Sequence, residues 1–269
     1  MSLYICATPI GNLEDVSSRL IRILGEVDVI AAEDTRRTRQ LLNALGLKGR
    51  LVSYRDATEQ TQTTHLLNLL KQGKDVALVS DGGTPLVSDP GYRIVRACIE
   101  EGIKVEVVPG PTSVIAALVL SGLPTARFAF EGFLPRKLGE MRSLFRSLAA
   151  DQRTLIFFES PRRVTKSLPV MLEGLGNRNM ALVREISKVY EEVIRGTVSE
   201  VIASIGDNAV LGEVVLVVEG TKEQIDAKQL AIEMAVALVR DGTAKSRAAQ
   251  EAARTHGVSK TQIYRALLD

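Results

Sequence analysis

The chain has 269 residues, enough for roughly two domains of ordinary size, and 45% apolar residues, enough to give each a core. Lys and Arg number 34 against 32 Asp and Glu, a net charge of +2 that argues neither for nor against nucleic acid and leaves that question to local clustering. Two cysteines without CxxC spacing and two histidines cannot assemble a zinc site, and no apolar run reaches membrane-span length, so the expectation is a reduced cytoplasmic protein with no metal and no membrane partner.

Leu3 to Ala7 reads as a buried strand that opens the chain with no basic leader or cleavage site. The loop Thr8-Pro9-Ile10-Gly11-Asn12 breaks it and leads into a predicted helix at Glu14 to Leu24. A strand at Val27 to Ala32 ends in Glu33-Asp34-Thr35-Arg36-Arg37, two carboxylates followed by cations. The alternation continues with helix Arg37 to Leu45, strand Arg50 to Tyr54, helix Thr63 to Lys71 and a β-branched strand from Val76. Helix Gly91 to Glu101, strand Val105 to Val108 and helix Val114 to Leu120 complete an α/β domain at residues 1–122.

Beyond Gly122-Leu123-Pro124 the pattern changes. Strands are predicted at Phe128 to Phe133, Thr154 to Phe158, Met180 to Arg184, Val189 to Arg195 and Val214 to Val218, with helices at Leu138 to Leu148, Arg163 to Leu175 and Val198 to Ile205. Two strands separated only near Ile186-Ser187-Lys188 predict an antiparallel hairpin, hence a mixed sheet in a second α/β domain at 123–220. Residues 221–269 read as three helices, Asp226 to Arg240, Ala244 to Thr255 and Lys260 to Leu268, the last two spaced as a helix-turn-helix with Gly257 in the turn and Ser259 as an N-cap. Arg240, Lys245, Arg247, Arg254, Lys260 and Arg265 outweigh Asp241 and Glu251 there, which fits either a nucleic-acid face or a solvated helical cap.

The chain is organised around Val76 to Gly91. Its strand stops at Asp81, and small ligands of open α/β sheets lie at the carboxyl ends of strands. Gly82 and Gly83 admit close backbone approach, while Pro85 and Pro90 stiffen the loop. Asp-Gly-Gly alone is also simple turn punctuation; a loop this rich in glycine, proline and aspartate exceeds it. A third strand-to-helix junction, Pro109-Gly110-Pro111-Thr112-Ser113, brings two hydroxyls to a helix N-terminus.

Tyr4-Ile-Cys-Ala-Thr-Pro-Ile-Gly-Asn, Ala32-Glu-Asp-Thr-Arg, Val79-Ser-Asp-Gly-Gly-Thr-Pro-Leu-Val-Ser-Asp-Pro-Gly, Val108-Pro-Gly-Pro-Thr-Ser, Phe158-Glu-Ser-Pro-Arg-Arg and Arg184-Glu-Ile-Ser-Lys resemble the tetrapyrrole methylase superfamily, in its order and across nearly all of both α/β domains. The resemblance implies two α/β domains of that type with S-adenosyl-L-methionine in the cleft between them, a small C-terminal helical tail, and a homodimer. Carried over by motif, Pro9 forms the first cofactor contact, Asp81, Gly82, Gly83 and Thr84 the second, and Thr112 and Ser113 the third, with Glu159 and Glu185 or Ile186 closing the pocket. Ring-modifying members usually carry Gly-Asp-Pro where this chain has Ser80-Asp81-Gly82. That departure and the basic tail move the expected substrate away from porphyrin-like rings, and within the superfamily the motifs resemble the branch that methylates the 2′-oxygen of a cytidine ribose in 16S ribosomal RNA of the small subunit, the runner-up being a methylase of a small tetrapyrrole-like substrate.

Glu33, Asp34, Glu185 and Lys188 are the candidates to take the hydroxyl proton, each also readable as an ordinary ion pair, for instance Asp34 with Arg36 or Arg37. RNA phosphates are expected at three clusters: Arg36, Arg37 and Arg39; Arg136, Lys137, Arg142 and Arg146; Arg162, Arg163 and Lys166. In the tail, Lys245, Arg247, Lys260 and Arg265 are expected to add to them. A ligand-sensing DNA-binding regulator is the reading from another class, and a nicotinamide dehydrogenase ranks lower because no GxGxxG follows the first strand.

Overall fold

Five apolar runs become one fully parallel sheet: β1 (Ser2–Cys6), β2 (Val29–Ala32), β3 (Leu51–Ser53), β4 (Val76–Val79) and β5 (Lys104–Val108), in the order β3-β2-β4-β1-β5. The computed structural model describes residues 1–206, 210–222 and 227–268. Among these, Met1–Ser147 with Arg153–Glu219 forms one compact unit, and Leu148–Gln152 with the chain from Gly220 onward forms another.

Strand alternation sends side chains to both faces of the first sheet, and helices cover each. On one face Leu3, Ile5, Val76 and Leu78 pack against Leu66 and Leu70 of α3 (Glu59–Lys71) and Ile94 and Cys98 of α4 (Tyr92–Glu100). On the other, Cys6, Ile30, Ala32 and Val79 meet Leu20, Ile23 and Leu24 of α1 (Ser18–Glu26) and Leu42 of α2 (Thr35–Ala44). The predicted helix from Glu14 resolves into a short 3-10 turn at Leu13–Asp15 and then α1, because the Ser17 side chain caps the Leu20 N–H at 3.0 Å and sets the later start.

The second sheet is mixed, as the hairpin signal predicts. Its strands are β6 (Phe128–Phe133), β7 (Thr154–Glu159), β8 (Asn179–Arg184), β9 (Glu192–Thr197) and β10 (Val214–Val218), in the order β6-β7-β10-β8-β9. Only β6 and β7 run parallel; the other pairs are antiparallel. Helix α5 (Ser113–Ser121) packs beneath this sheet, with Val114, Ala117 and Leu118 against Ile156, Val183 and Val215. The C-terminal end of α5 is held by Arg195 of β9, which donates to the Ser121 carbonyl at 3.3 Å. Helices α6 (Leu138–Ser147), α7 (Val164–Leu175) and α8 (Val198–Ile205) complete the unit, and Phe145 of α6 meets Phe157 of β7 edge-on at 5.6 Å.

One strand is shorter than predicted. Val189 and Tyr190 are 93% and 75% exposed in the loop before β9, because Glu185 and Ser187 adopt left-handed φ of 52° and 63° and turn the chain out of the ladder. In the tail, α9 (Ala227–Arg240), α10 (Lys245–His256) and α11 (Lys260–Ala266) share a seam of Ala231, Ala235, Ala248, Ala252 and Ile263, with Gly257 left-handed after α10. Asp226, where the first tail helix was expected to begin, lies outside the described residues.

Candidate active site

The loops at the carboxyl ends of β1, β4 and β5 are sewn to one another. Thr8 and Gly83 exchange backbone hydrogen bonds of 2.9 and 3.0 Å, the Thr8 hydroxyl donates to the Ser80 carbonyl at 3.2 Å, and the Thr84 hydroxyl donates to the Pro111 carbonyl at 3.3 Å. Gly83 has φ +92°, and a β-carbon on Gly82 would stand 3.2 Å from the Pro9 carbonyl, so one glycine turns the loop and the other lets it close on its neighbour. Gly83 and Thr84 thereby serve the stitching. Pro9, Asp81, Gly82 and Ser113 line a cleft of about 940 Å³, whereas Thr112, the N-cap residue of α5, is not among its lining residues.

Three carboxylates share the first wall of that cleft: Glu33, Asp81 and Asp89. Asp81 is fixed in orientation, one oxygen accepting the Asp34 N–H at 2.9 Å and the other lying 3.6 Å from the Arg37 guanidinium. Burial first, and then the charges of Asp81 and Asp56, push the Glu33 carboxyl above its usual pKa, against Arg37 and Arg55. Burial and the Glu33 charge raise Asp89 to about 6, opposed by a hydrogen bond with Ser80. Asp89 was missed from sequence, although its signal is there: a second aspartate in the same proline-stiffened loop, preceded here by Leu86 and Ser88 at φ 73° and 65°. Asp34 is absent from the cleft lining. It caps α2 through the Arg36 N–H at 2.8 Å and pairs with the Arg36 guanidinium at 2.7 Å, bonds that hold its carboxyl well below the usual range.

The second wall comes from the other sheet, with Phe133, Phe158, Glu159, Ile186, Lys188 and Val215 among its residues. Glu159 is buried and fully bonded: the Ser160 N–H donates at 2.7 Å, the Ser167 hydroxyl makes a short contact, and Arg163 lies at 3.4 Å. Glu185 does not line the cleft; its carboxylate is taken by Lys188 Nζ at 2.9 Å and the Glu213 N–H at 2.9 Å, which lower its pKa. Burial works to lower the Lys188 pKa, but its bonds to Glu185 and Glu213 outweigh that and leave it raised, so Lys188 presents a protonated ammonium and not a base. The two walls touch at Gly11, where a β-carbon would stand 2.5 Å from Lys188 Cγ and 2.8 Å from the Ile186 carbonyl.

The cationic clusters divide into committed and available groups. Arg36 is tied to Asp34, Lys137 to Glu140 at 2.9 Å, and Arg142 and Arg146 to Glu173 at 3.1 and 3.9 Å. Arg163 is half-buried, pairing with Glu159 and donating to the Leu134 and Pro135 carbonyls, so it braces the wall. Arg37 lines the cleft beside Asp81. Arg39, Arg136, Arg162 and Lys166 are exposed and make no ion pair among the described residues. In the tail, Lys245 donates to the Leu267 carbonyl at 2.6 Å and Lys260 to Gln250 at 3.4 Å, while Arg247 and Arg265 are exposed. Among the described residues no His, Cys, Asp and Glu group is arranged to hold a metal, and no helix is long and apolar enough to cross a membrane.

The model of the family Tetrapyrrole (Corrin/Porphyrin) Methylases matches residues 2–202. The ribosomal RNA small subunit methyltransferase I of Halalkalibacterium halodurans is 42% identical over 98% of this chain and 93% of its own length. The protein of the same name from Thermotoga maritima is 46% identical over 81% of this chain and 98% of its own length. Among solved structures, the uroporphyrin-III-C-methyltransferase of Thermus thermophilus has a TM-score of 0.59 at 25% identity, over 81% of this chain and 94% of that one. With the parallel and mixed sheets flanking one cleft and the family's model matched across both, the chain belongs to the tetrapyrrole methylase family, beside the relatives named ribosomal RNA small subunit methyltransferase I.

Proposed function

We infer that this chain is an S-adenosyl-L-methionine-dependent methyltransferase acting on the ribose 2′-oxygen of a cytidine in 16S ribosomal RNA. The observation that carries the reading is identity of 42–45% over nearly the whole chain with relatives named for that RNA's subunit. The cleft fits the methyl donor. Its volume of about 940 Å³ suits a folded cofactor and part of an acceptor, its first wall carries carboxylates to meet an ammonium and a sulfonium, and Ile10, Ile186 and Val215 supply apolar surface. Pro9, Asp81, Gly82 and Ser113 would hold the donor on one side and Ile186 on the other, with the buried Glu159 bracing that second wall from within. Bound there, S-adenosylmethionine supplies a methyl on a positively charged sulfur that keeps the bonding electrons and leaves as a neutral thioether.

The protein's part is orientation and proton acceptance. A ribose hydroxyl is a weak nucleophile at neutral pH, and a positioned base contributes about 10²–10⁴-fold. Asp89, with its pKa raised to about 6, is mostly ionised at neutral pH and still basic enough to take that proton; Glu33 is its neighbour and alternate. The available Arg39, Arg136, Arg162 and Lys166 supply phosphate contacts that position the strand without reading its bases, while Lys188, paired with Glu185 and Glu213, holds the loop of the second wall. Residues 1–122 and 123–220 serve as the two catalytic lobes, and 221–269 as an RNA-binding tail through Arg247 and Arg265. By the family resemblance the reading includes a homodimer, working in the cytoplasm on the small ribosomal subunit.

Purified protein given labelled cofactor is expected to methylate 16S RNA, free or within the subunit, at the ribose of one cytidine, as read by mass spectrometry of the digested product. Cofactor binding without transfer to either RNA overturns the substrate assignment. Transfer to a tetrapyrrole-like ring instead establishes the second reading, which the likeness to the Thermus thermophilus structure favours.

A further inference from the structure

The chain contains six phenylalanines and no tryptophan, and the deep ones behave as core: Phe145 and Phe157 are fully buried. Phe133 does not. It is 61% exposed although it lines the cleft. An aromatic ring left open on the wall of a cleft offers a ligand a flat apolar face.

Its presentation is built into the backbone. The β6–β7 register shifts between Phe130 and Phe133, and Gly132 between them takes φ +72°, a bulge that re-aims the side chain of the next residue. Beyond the bulge the chain is pinned. The Leu134 N–H donates to the Phe158 carbonyl at 3.1 Å, Leu134 is buried, and Arg163 holds the Leu134 and Pro135 carbonyls. Phe158 meets the Phe133 ring edge-on at 5.3 Å and is itself met by Phe130 at 4.8 Å, so one edge of the ring is braced. Gly132 also backs onto the loop that carries Asp89: a β-carbon there would stand 3.7 Å from the Ser88 hydroxyl. Arg136 and Arg162, exposed and without an ion pair among the described residues, follow the carboxyl ends of the paired strands β6 and β7.

We propose that Phe133 is a stacking platform for the base of the acceptor nucleotide, splayed out of an unpaired RNA strand at the mouth of the cleft so that its ribose reaches the carboxylate wall. This rests on the RNA reading above and adds to it a base subsite. Unpaired bases stack on exposed aromatic rings in single-strand recognition, while cations beside the ring take the phosphates. A platform is sequence-tolerant, so Phe133 sets the position of the nucleotide and leaves its identity to other contacts.

The test uses the full chain and the RNA fragment that the wild type methylates. Phe133→Ala is expected to raise KM for RNA by about 10–100-fold, the usual range for losing one base stack, with cofactor affinity by calorimetry unchanged. Phe133→Trp retains activity and introduces the chain's single tryptophan, whose fluorescence the bound RNA quenches. An abasic acceptor nucleotide weakens the wild type and changes Phe133→Ala little. If the wild type binds cofactor and methylates no RNA, the function above fails and the platform with it. If the wild type methylates RNA while Phe133→Ala keeps its KM, or the tryptophan is not quenched, the platform alone is overturned. A Phe133→Ala protein whose sedimentation shifts to a smaller species overturns it too, by assigning the ring to contact between copies.

Discussion

Asp89→Asn is expected to make the protein more stable and less active at once. Folding carries the Asp89 pKa from 3.8 to about 6, chiefly through burial and the nearby Glu33 charge. At about 1.36 kcal/mol per pKa unit the ionised side chain opposes folding by about 3 kcal/mol at most, and water in an open cleft reduces this to roughly 1–2 kcal/mol. The sign follows from the proton: the folded state holds it more tightly, so nothing is lost below the unfolded value of 3.8. The penalty grows between there and about 6, and it is constant above. Asn keeps the shape and the contact with Ser80 without the charge. Calorimetry of the cofactor-free variant should therefore show a melting temperature higher by roughly 2–8 °C near neutral pH, and a gain shrinking toward zero at about pH 4. A variant no more stable than wild type at neutral pH, or a gain of the same size in acid, refutes the electrostatic account of this wall. Single-turnover methylation should fall by about 10²–10⁴-fold, and an unchanged rate moves proton acceptance to Glu33.

The wild-type methyl-transfer rate should rise with pH through about 6 as Asp89 loses its proton, and then level; a profile flat across that range removes Asp89 from the proton path. Gly11→Ala forces apart the contact with Lys188 and Ile186, and kcat/KM should drop by about 10²-fold from misalignment of the walls; unaltered kinetics would mean that the Ile186–Lys188 loop yields freely. Arg163→Ala strips the buried Glu159 of its cation and should cost about 3 kcal/mol in denaturant unfolding. Arg162→Ala should leave stability alone and reduce the slope of log RNA affinity against log salt by about one, and equal effects of the two changes would contradict their different surroundings.

The strand and helix alternation was legible because buried parallel strands and amphipathic helices impose their own periods on the sequence, and most elements begin within a residue or two of the expected position. Loops were legible only as places. Asp81, Gly82 and Gly83 announce a ligand turn, yet Gly83 and Thr84 spend their polar groups on Thr8 and Pro111, a division set by hydrogen bonds that no local pattern encodes. Val189 and Tyr190 imitate a strand because they are β-formers; the left-handed Glu185 and Ser187 that exclude them from the ladder carry no sequence mark comparable to glycine. Likewise Arg162 and Arg163 are adjacent and chemically identical, and only the fold makes one a free cation and the other an internal brace.

Strand β10 is the last of the second sheet to be made and one of its innermost, inserted between β7 and β8. Until Val214–Val218 leaves the ribosome, those two neighbours present bare, hydrophobic edges that cannot pair with each other across the vacancy. Maturation of this half is thus back-loaded: a nascent chain stalled before Val214 carries a finished parallel sheet beside an open, adhesive one. Nonsense or frameshift lesions between the end of β9 and Val214 should yield aggregates and not partially active fragments.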